Sequence, residues 1–171
     1  MEEWRERCPL PAQTHIGRTE IPDDGRTQNG GQNVAVARLM GSWPAVSPVS
    51  PGVLCALCRP DLRITLSERI GKKAAFLLTL RRELGLSFEV FADDATRLPT
   101  GFGVVVSRAA LPLPKWFPFA ESLTAPRGYI YSMTSPSEPV PDAPPSLSLC
   151  LDMLYDVGEG QHRILAHRKA G

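Results

Sequence analysis

Polar side chains stand directly after three short apolar runs of the sequence, at residues 62–66, 88–91 and 104–106. Short apolar runs of this kind predict buried strands. In a parallel sheet the carboxyl ends of the strands meet at one edge, where ligands bind. The candidate site residues are therefore those that follow each run: Glu68, residues 93–96, Ser107 and Arg108.

The first two of these positions suit a nucleotide-like ligand. A carboxylate at Glu68 can accept hydrogen bonds from both hydroxyls of a cofactor ribose. The alternative is a solvated or helix-capping glutamate, which the positive end of a following helix also favours. Asp94, Ala95 and Thr96 can bracket an adenine ring with backbone N–H groups and short polar side chains. The alternative there is an Asp-rich turn that satisfies its own backbone.

Three cations could meet phosphate groups. Arg108 offers a planar guanidinium for a phosphate, a carboxylate or a guanine edge. The alternative is an exposed arginine with a weak ion pair. Lys72 and Lys73 stand near the start of a long helical pattern and could contact RNA phosphates, although a pair of charges on a helix is more often its solvated face.

Cys55 and Cys58 form a CxxC pair, which by itself suggests zinc or redox chemistry. A structural zinc site needs four ligands, and neither Cys8, Cys150 nor any histidine stands at a suitable spacing. We therefore expect two buried helical thiols and no metal. Four dispersed cysteines and a charged start without an apolar segment also predict a soluble, cytoplasmic protein.

The candidate residues need a sheet to position them. A helical pattern over residues 70–86, with Gly85 as its C-cap, lies between the first two apolar runs and predicts a βαβ crossover. Residues 33–40 favour a strand, with one short helix as the alternative. The other predicted elements are a helix at 52–58, a helix at 115–123, a strand at 129–134 and an antiparallel hairpin of residues 148–157 and 162–169. Together they predict a mixed, doubly wound α/β sheet.

Composition limits the alternatives. The chain has 171 residues, of which 43% are hydrophobic and 22% charged, as in an ordinary globular domain. A net charge of +1 gives no general attraction to nucleic acid, so any RNA contact needs a local patch. Residues 1–31 are polar and rich in Pro and Gly, which predicts disorder. The predicted core comprises Val53, Leu54, Leu57, Ile64, Leu66, Phe76, Leu77, Leu80, Leu84, Val90, Val104 and Val106.

Three stretches carry a family resemblance: RPDLRITLSERIGKKAAFL at residues 59–77, DDATRLP at 93–99 and VVVSRAALPL at 104–113. They resemble the RsmG (GidB) family, the bacterial 16S rRNA guanine-N7 methyltransferases. The similarity extends over residues 50–169, and we divide the chain into a non-matching segment, 1–50, and a methyltransferase-like domain, 51–171.

The resemblance implies a Rossmann-like class I methyltransferase fold, S-adenosyl-L-methionine as methyl donor, and small-subunit rRNA or its ribonucleoprotein as partner. It implies that Glu68 holds the adenosyl ribose and that the turn at Ala95 lies beside the adenine; the family often has an acid where Thr96 stands. The implied cofactor-binding residues are Ser50, Gly52, Glu68, Asp94, Ala95, Thr96 and Arg108. The implied rRNA-binding residues are Arg108, Lys72 and Lys73.

No catalytic side chain is expected for this reaction. Guanine N7 carries an unprotonated lone pair, so an in-line displacement on the sulfonium methyl needs positioning and exclusion of water, and no general base.

The family pattern breaks just before Gly52, where the family has an acidic residue and a run of alternating glycines. Counting back, the glycine positions hold Ala45, Ser47 and Val49, and the acid position holds Trp43. Two other functions therefore stay open: a degenerate or truncated relative that binds RNA or a protein without catalysis, and an unrelated αβ interaction module. Because the break is abrupt, one hypothesis is a frameshift or a mistaken start upstream of residue 51.

Overall fold

A computed structural model of the chain describes residues 33–37, 51–108, 111–158 and 160–171. The strands form one seven-stranded sheet in the order β3-β2-β1-β4-β5-β7-β6. They are β1 (Asn33–Ala37), β2 (Arg63–Ser67), β3 (Glu89–Phe91), β4 (Phe102–Arg108), β5 (Thr124–Thr134), β6 (Leu147–Val157) and β7 (Gly160–Lys169). The helices are α1 (Pro51–Cys58), α2 (Gly71–Glu83) and α3 (Leu113–Leu123).

The sheet is mixed, as predicted. Strands β1 to β5 pair in parallel, whereas β7 runs antiparallel to both β5 and β6. The interior strand β1 comes from the segment that precedes the family-like part of the chain, and it pairs with β2 on one side and β4 on the other. The predicted strand at residues 33–40 is confirmed over 33–37.

Helix α2 ends as the sequence predicted. Leu84 is its C-cap residue, and Gly85 follows with φ +60°, a left-handed conformation that costs glycine least. The backbone N–H of Leu86 then donates to the carbonyl oxygen of Arg81, at 2.9 Å, which satisfies one of the free carbonyls at the helix end. The chain turns here into β3, which pairs in parallel with β2.

Two hydrophobic clusters pack against the sheet. Alternate residues of a strand point to opposite faces, so Val105 and Val106 belong to different clusters. One cluster is built around α3, with Trp116 and Phe117 packed against Ile130 and other sheet residues. The other cluster joins α1 and α2 to β2 and β4. Helices therefore cover both faces, as a doubly wound fold requires.

The predicted core is right for the strands and partly wrong for the helices. Val53, Ile64, Leu66, Leu77 and Val106 are buried, and Leu80, Val90 and Val104 are partly buried. Four predicted core residues are exposed: Leu54 (53%), Leu57 (51%), Phe76 (41%) and Leu84 (52%).

The reason is that both helices carry apolar residues on two faces. In α1 the small residue Ala56 lies beside Val53 on the sheet, one turn apart, and in α2 the buried residues are Ala74 and Leu77. Helical spacing alone does not say which apolar stripe faces the sheet.

The cysteine prediction also needs correction. Cys55 is only half-buried and Cys58 is exposed, because α1 is short and Cys58 is its last residue. Burial is the main factor that raises the pKa of the Cys55 thiol, and the neighbouring Cys58 adds to it. Neither cysteine is in a disulfide, and the described residues contain no group of His, Cys, Asp and Glu able to hold a metal ion.

None of the helices in the described part of the chain is long and apolar enough to span a membrane. The predicted disorder concerns residues 1–31, which lie outside the described residues. The reading-frame hypothesis concerns residues 1–50, of which only 33–37 are described.

Candidate functional site

The carboxyl ends of β2, β3, β4 and β5 share one edge of the sheet, because these strands run parallel. Glu68 follows β2, Asp93 follows β3 and Arg108 ends β4. The structure thus brings all three predicted positions to the same edge. Glu68 and Asp93 follow adjacent strands, whereas β1 separates β2 from β4, a distance of about 10 Å between those two strands.

The ends of β2 and β3 are joined by hydrogen bonds. The backbone N–H of Glu68 donates to the carbonyl oxygen of Phe91 at 3.0 Å. The hydroxyl of Ser67 donates to the carbonyl oxygen of Asp93 at 3.5 Å. These contacts hold the residues after the two strands in a fixed relation.

Glu68 is buried at this edge, with 1% of its surface exposed. Its Oε1 atom accepts the backbone N–H of Ile70, the residue before α2, at 2.9 Å. Ile70 has no capping side chain of its own. The observed contact is therefore the helix-start role that the sequence left open, and it occupies Oε1 of the carboxylate.

The turn after β3 satisfies its own backbone. The Oδ1 atom of Asp94 accepts the N–H of Thr96 at 3.0 Å and its hydroxyl at 2.8 Å, so Asp94 caps the short 3₁₀ helix Ala95–Arg97. These bonds lower the pKa of Asp94, helped by the more distant cations Arg69 and Arg97. The Asp94 carboxylate thus orders the turn in its charged form.

Asp93 supports the same turn. Its carboxylate accepts the N–H of Asp94 at 2.6 Å and a guanidinium N–H of Arg97 at 2.9 Å. The bond from the Asp94 backbone is the main factor that lowers the pKa of Asp93, and Arg97 adds to it. Ala95 is buried in the cluster of α3, whereas Thr96 is exposed.

The predicted cations lie at the edge or near it. Arg108 is exposed at the end of β4, beside Met133 of β5. Lys72 is exposed and Lys73 is half-buried in the first turn of α2, which follows β2 and Glu68. Gly52 is buried in the first turn of α1. Ser50 lies outside the described residues.

The residues that break the family pattern, Trp43, Ala45, Ser47 and Val49, also lie outside the described residues. However, β1 ends at Ala37, six residues before Trp43, the position counted back for the acid. Residues 38–50 contain no acidic residue and a single glycine, Gly41. The acid and the glycine run are therefore missing from the whole β1–α1 connection.

Sequence reasoning missed one group at the same edge. Glu138, in the segment after β5, contacts the end of β5 and the start of α3. The five prolines of residues 135–146 predicted only a stiff loop. Glu138 bonds to Leu113, 25 residues earlier in the chain, and no local sequence pattern predicts a contact at that separation.

Solved structures with a similar fold include several that are named as methyltransferases. TrmN from Thermus thermophilus matches with a TM-score of 0.65 at 16% identity, over 81% of this chain and 44% of that one. The putative methyltransferase YhhF from Escherichia coli matches with a TM-score of 0.60 at 17% identity, over 82% and 79%. Magnesium protoporphyrin IX methyltransferase from Synechocystis PCC 6803, solved with bound SAM, matches with a TM-score of 0.60 at 11% identity, over 82% and 71%. The sheet order and these similarities define a Rossmann-like class I methyltransferase fold.

The sequence similarities identify the family, whereas the fold identifies only the class of protein. The family described as rRNA small subunit methyltransferase G matches residues 50–139. Among curated relatives, ribosomal RNA small subunit methyltransferase G of Nocardioides sp. is 37% identical over 103 residues, 57% of this chain and 41% of that protein. The protein of the same name from Halorhodospira halophila is 33% identical over 127 residues, 70% of this chain and 61% of that protein. The chain belongs to the rRNA small subunit methyltransferase G family, and it spans about two fifths of the length of most of the curated relatives it matches.

Proposed function

We propose that this chain is an S-adenosyl-L-methionine-dependent methyltransferase that acts on guanine N7 of small-subunit (16S) rRNA, in the cytoplasm. The observation that carries the proposal is the buried carboxylate of Glu68, at the carboxyl end of β2 and beside the ordered Asp94 turn, within a methyltransferase sheet. Family membership supplies the class of substrate.

The described residues fit the adenosine half of such a donor. Glu68 places a carboxylate at the edge where the ribose would bind: its Oε1 accepts the Ile70 N–H, and its second oxygen would accept a ribose hydroxyl. The turn of Asp94, Ala95 and Thr96 is ordered before any ligand binds, because Asp94 satisfies it internally. The methionine half would meet residues 38–50 and Gly52, of which only Gly52 is described.

Arg108 faces the acceptor in this proposal. It stands on β4, on the far side of β1 from Glu68, so a ligand anchored at Glu68 would direct its reactive end towards β4. The donor supplies an electrophilic methyl group on a sulfonium ion when it is bound. The protein's part is to hold the guanine in line with that methyl group and to exclude water, and Arg108 can fix a guanine edge or a phosphate.

Glu68 is the sharpest test of donor binding. We expect Glu68→Gln to weaken S-adenosyl-L-methionine binding about tenfold or more, because a hydrogen bond to a charged group is replaced by a weaker one. The amide oxygen still accepts the Ile70 N–H, so the fold should persist. Titration calorimetry on the full chain measures the affinity, and Glu89→Gln, at an exposed position of β3, is the matched control. Equal affinities in all three proteins would contradict the role of Glu68.

A second candidate function is favoured by the β1–α1 connection. Since residues 38–50 carry no acid and one glycine, the chain could keep the fold and bind 16S rRNA without methylating it. Binding of 16S rRNA by a protein that shows no S-adenosyl-L-methionine binding would support this alternative. Calorimetric donor binding together with methyl transfer to 16S rRNA would exclude it.

A further inference from the structure

The segment between β5 and β6, residues 135–146, is here called the connector. It is tied to α3 at both ends of that helix. Near its start, Glu138 accepts the backbone N–H of Leu113, the first residue of α3, at 3.3 Å. At its end, the hydroxyl of Ser146 donates to the carboxylate of Glu121, in the last turns of α3.

Glu138 serves as the N-terminal cap of α3. The N-cap residue of this helix is Pro112, which has no side chain able to accept a hydrogen bond. The carboxylate of Glu138 takes that role from a distant part of the sequence, where its negative charge also meets the positive end of the helix. Its second oxygen accepts the hydroxyl of Thr134, the last residue of β5. One carboxylate thus joins α3, β5 and the connector.

A salt bridge supports this junction from the other side. Arg163 of β7 donates to the backbone carbonyl of Glu138 at 3.5 Å and makes a two-pronged ion pair with Asp152 of β6, at 2.7 and 2.5 Å. Arg163 lies opposite Thr134 in the sheet. The Arg163 side chain of this pair is largely shielded from solvent, with 20% of its surface exposed. The connector is therefore held at its first turn by β5, β7 and α3, and β6 supports it through Asp152.

The junction lies beside the acceptor end of the proposed site. Arg108 pairs with Met133, the neighbour of Thr134, so the Glu138 junction lies at the end of the strand next to that of Arg108. Alternate residues of a strand point to opposite faces, so Thr134 lies on the α3 face with Ser132, whereas Arg108 lies on the other face at the same carboxyl edge. Glu68 lies three strand spacings away, about 14 Å at the usual strand separation. A group at Glu138 can shape the space for the acceptor without touching the donor.

We propose that Glu138 is a positioning residue for the rRNA guanine, acting through the connector and the start of α3. This inference rests on the proposed function. Glu138 fixes these two segments into one wall at the carboxyl ends of β4 and β5, and the target nucleotide is held against that wall. The helix end and the Thr134 hydroxyl both contact the Glu138 carboxylate, which offsets part of its repulsion towards phosphate groups.

The test compares two carboxylates that make the same kind of tie at opposite ends of α3. The full-length chain and its Glu138→Ala, Glu138→Gln and Glu121→Ala variants are assayed for methyl transfer to in vitro transcribed 16S rRNA, for donor affinity by calorimetry, and for thermal unfolding. We expect Glu138→Ala to raise KM for 16S rRNA about tenfold, because small misplacements of a bound substrate are costly. Its affinity for S-adenosyl-L-methionine should stay within about twofold, since the two sites are far apart.

Glu138→Gln should restore KM to within about twofold, because an amide can still accept the Leu113 N–H and donate to the Thr134 oxygen. Glu121→Ala should leave KM unchanged. If both alanine variants reduce kcat and stability alike with KM unaffected, Glu138 is merely structural and the inference is overturned. An equal loss of donor affinity in Glu138→Ala overturns its assignment to the acceptor side. Absence of both donor binding and methyl transfer in the unaltered chain overturns the proposed function, and this inference with it.

Discussion

His167 is a buried imidazole on β7, packed against the ring of Phe117 at 4.5 Å between centroids. In the sheet it lies between Ile130 and Leu149, and its Nδ1 atom has no hydrogen-bond partner among the described residues. Burial lowers its pKa from the ordinary value of 6.5. Neutral His167 is thus the form that the fold accepts.

The lowered pKa predicts a loss of stability in acid. The unfolded chain binds a proton as the pH falls through about 6.5, whereas the folded chain resists it until the lower folded pKa. The contribution of His167 is therefore fully present above the unfolded pKa and is lost as the pH falls towards the folded one. We expect His167→Leu to raise the free energy of unfolding by about 1 kcal/mol at pH 7, and by more at pH 5, because it removes an unpaired buried nitrogen.

Urea unfolding between pH 5 and pH 8 measures this effect. His162→Leu is the control, since His162 lies on the same strand but is only half-buried. If His167→Leu and the unaltered chain lose the same free energy of unfolding between pH 8 and pH 5, the prediction is wrong.

Replacing Arg108 should affect methyl transfer and leave stability almost unchanged. Arg108→Ala should change the free energy of unfolding by less than about 0.5 kcal/mol, because the side chain is exposed at a strand end. Methyl transfer to 16S rRNA should fall about a hundredfold if the guanidinium fixes the acceptor. Arg63→Ala is the control: Arg63 is exposed at the start of β2, on the opposite edge of the sheet. Equal activity of both variants would remove Arg108 from the site.

At the scale of the elements, α2 carries its cations in an unusual place. Lys72 and Lys73 occupy the first turn, which has no acidic residue, although the positive end of a helix disfavours cations. Arg81 and Arg82 stand in the last turn, where cations are favourable. The carboxylate of Glu68, which accepts the Ile70 N–H at the start of α2, offsets part of this cost.

Reversing one charge at each end of α2 separates stability from function. Lys72→Glu should raise the free energy of unfolding by about 0.5 kcal/mol, and Arg82→Glu should lower it by a similar amount. Both variants change the net charge equally, yet only Lys72→Glu should weaken 16S rRNA binding strongly, because Lys72 lies at the carboxyl edge of the sheet. Thermal unfolding and filter binding give the two quantities. If both variants lose RNA affinity equally, Lys72 acts only through the net charge of the chain and not through a specific contact.

The end of α2 gives a test of backbone geometry. Gly85 has φ +60°, and a Cβ added there would meet no other atom within 4 Å, so Gly85→Ala costs only backbone strain, about 1 kcal/mol. Gly71, at the start of the same helix, also has open space and no left-handed φ. Gly71→Ala should therefore be neutral or slightly stabilising. Urea unfolding measures the stability of both variants. If Gly71→Ala and Gly85→Ala lower the free energy of unfolding by similar amounts, the prediction is wrong.

The whole molecule has a net charge of +1, so its affinity for RNA depends on a few local cations. If Lys72, Lys73 and Arg108 are the main phosphate contacts, the slope of log affinity against log salt concentration should be about −2 for single-stranded RNA. Fluorescence titration of a 16S rRNA fragment over a range of KCl concentrations measures it. A slope several times steeper would mean that RNA binds another, more basic surface.

Much of this molecule was already determined by local sequence patterns. Short apolar runs located the strands, 3.6-residue spacing located α2, and Gly85 marked its end, because each depends on neighbouring residues alone. The resemblance at residues 59–77 pointed to the family, and the parallel arrangement of strands was enough to bring Glu68, Asp94 and Arg108 to one edge.

Other features were decided only by the tertiary structure. Leu54, Leu57, Phe76 and Leu84 are exposed because α1 and α2 turn another apolar face to the sheet, with Val53 and Ala56 in α1 and Ala74 and Leu77 in α2. Apolar spacing on two faces of a helix cannot predict that choice. The Glu138 junction joins residues 25 apart, and the burial of His167 requires α3 to pack across β7. Such contacts depend on how whole elements meet, so local sequence patterns, which reflect near neighbours along the chain, do not reveal them.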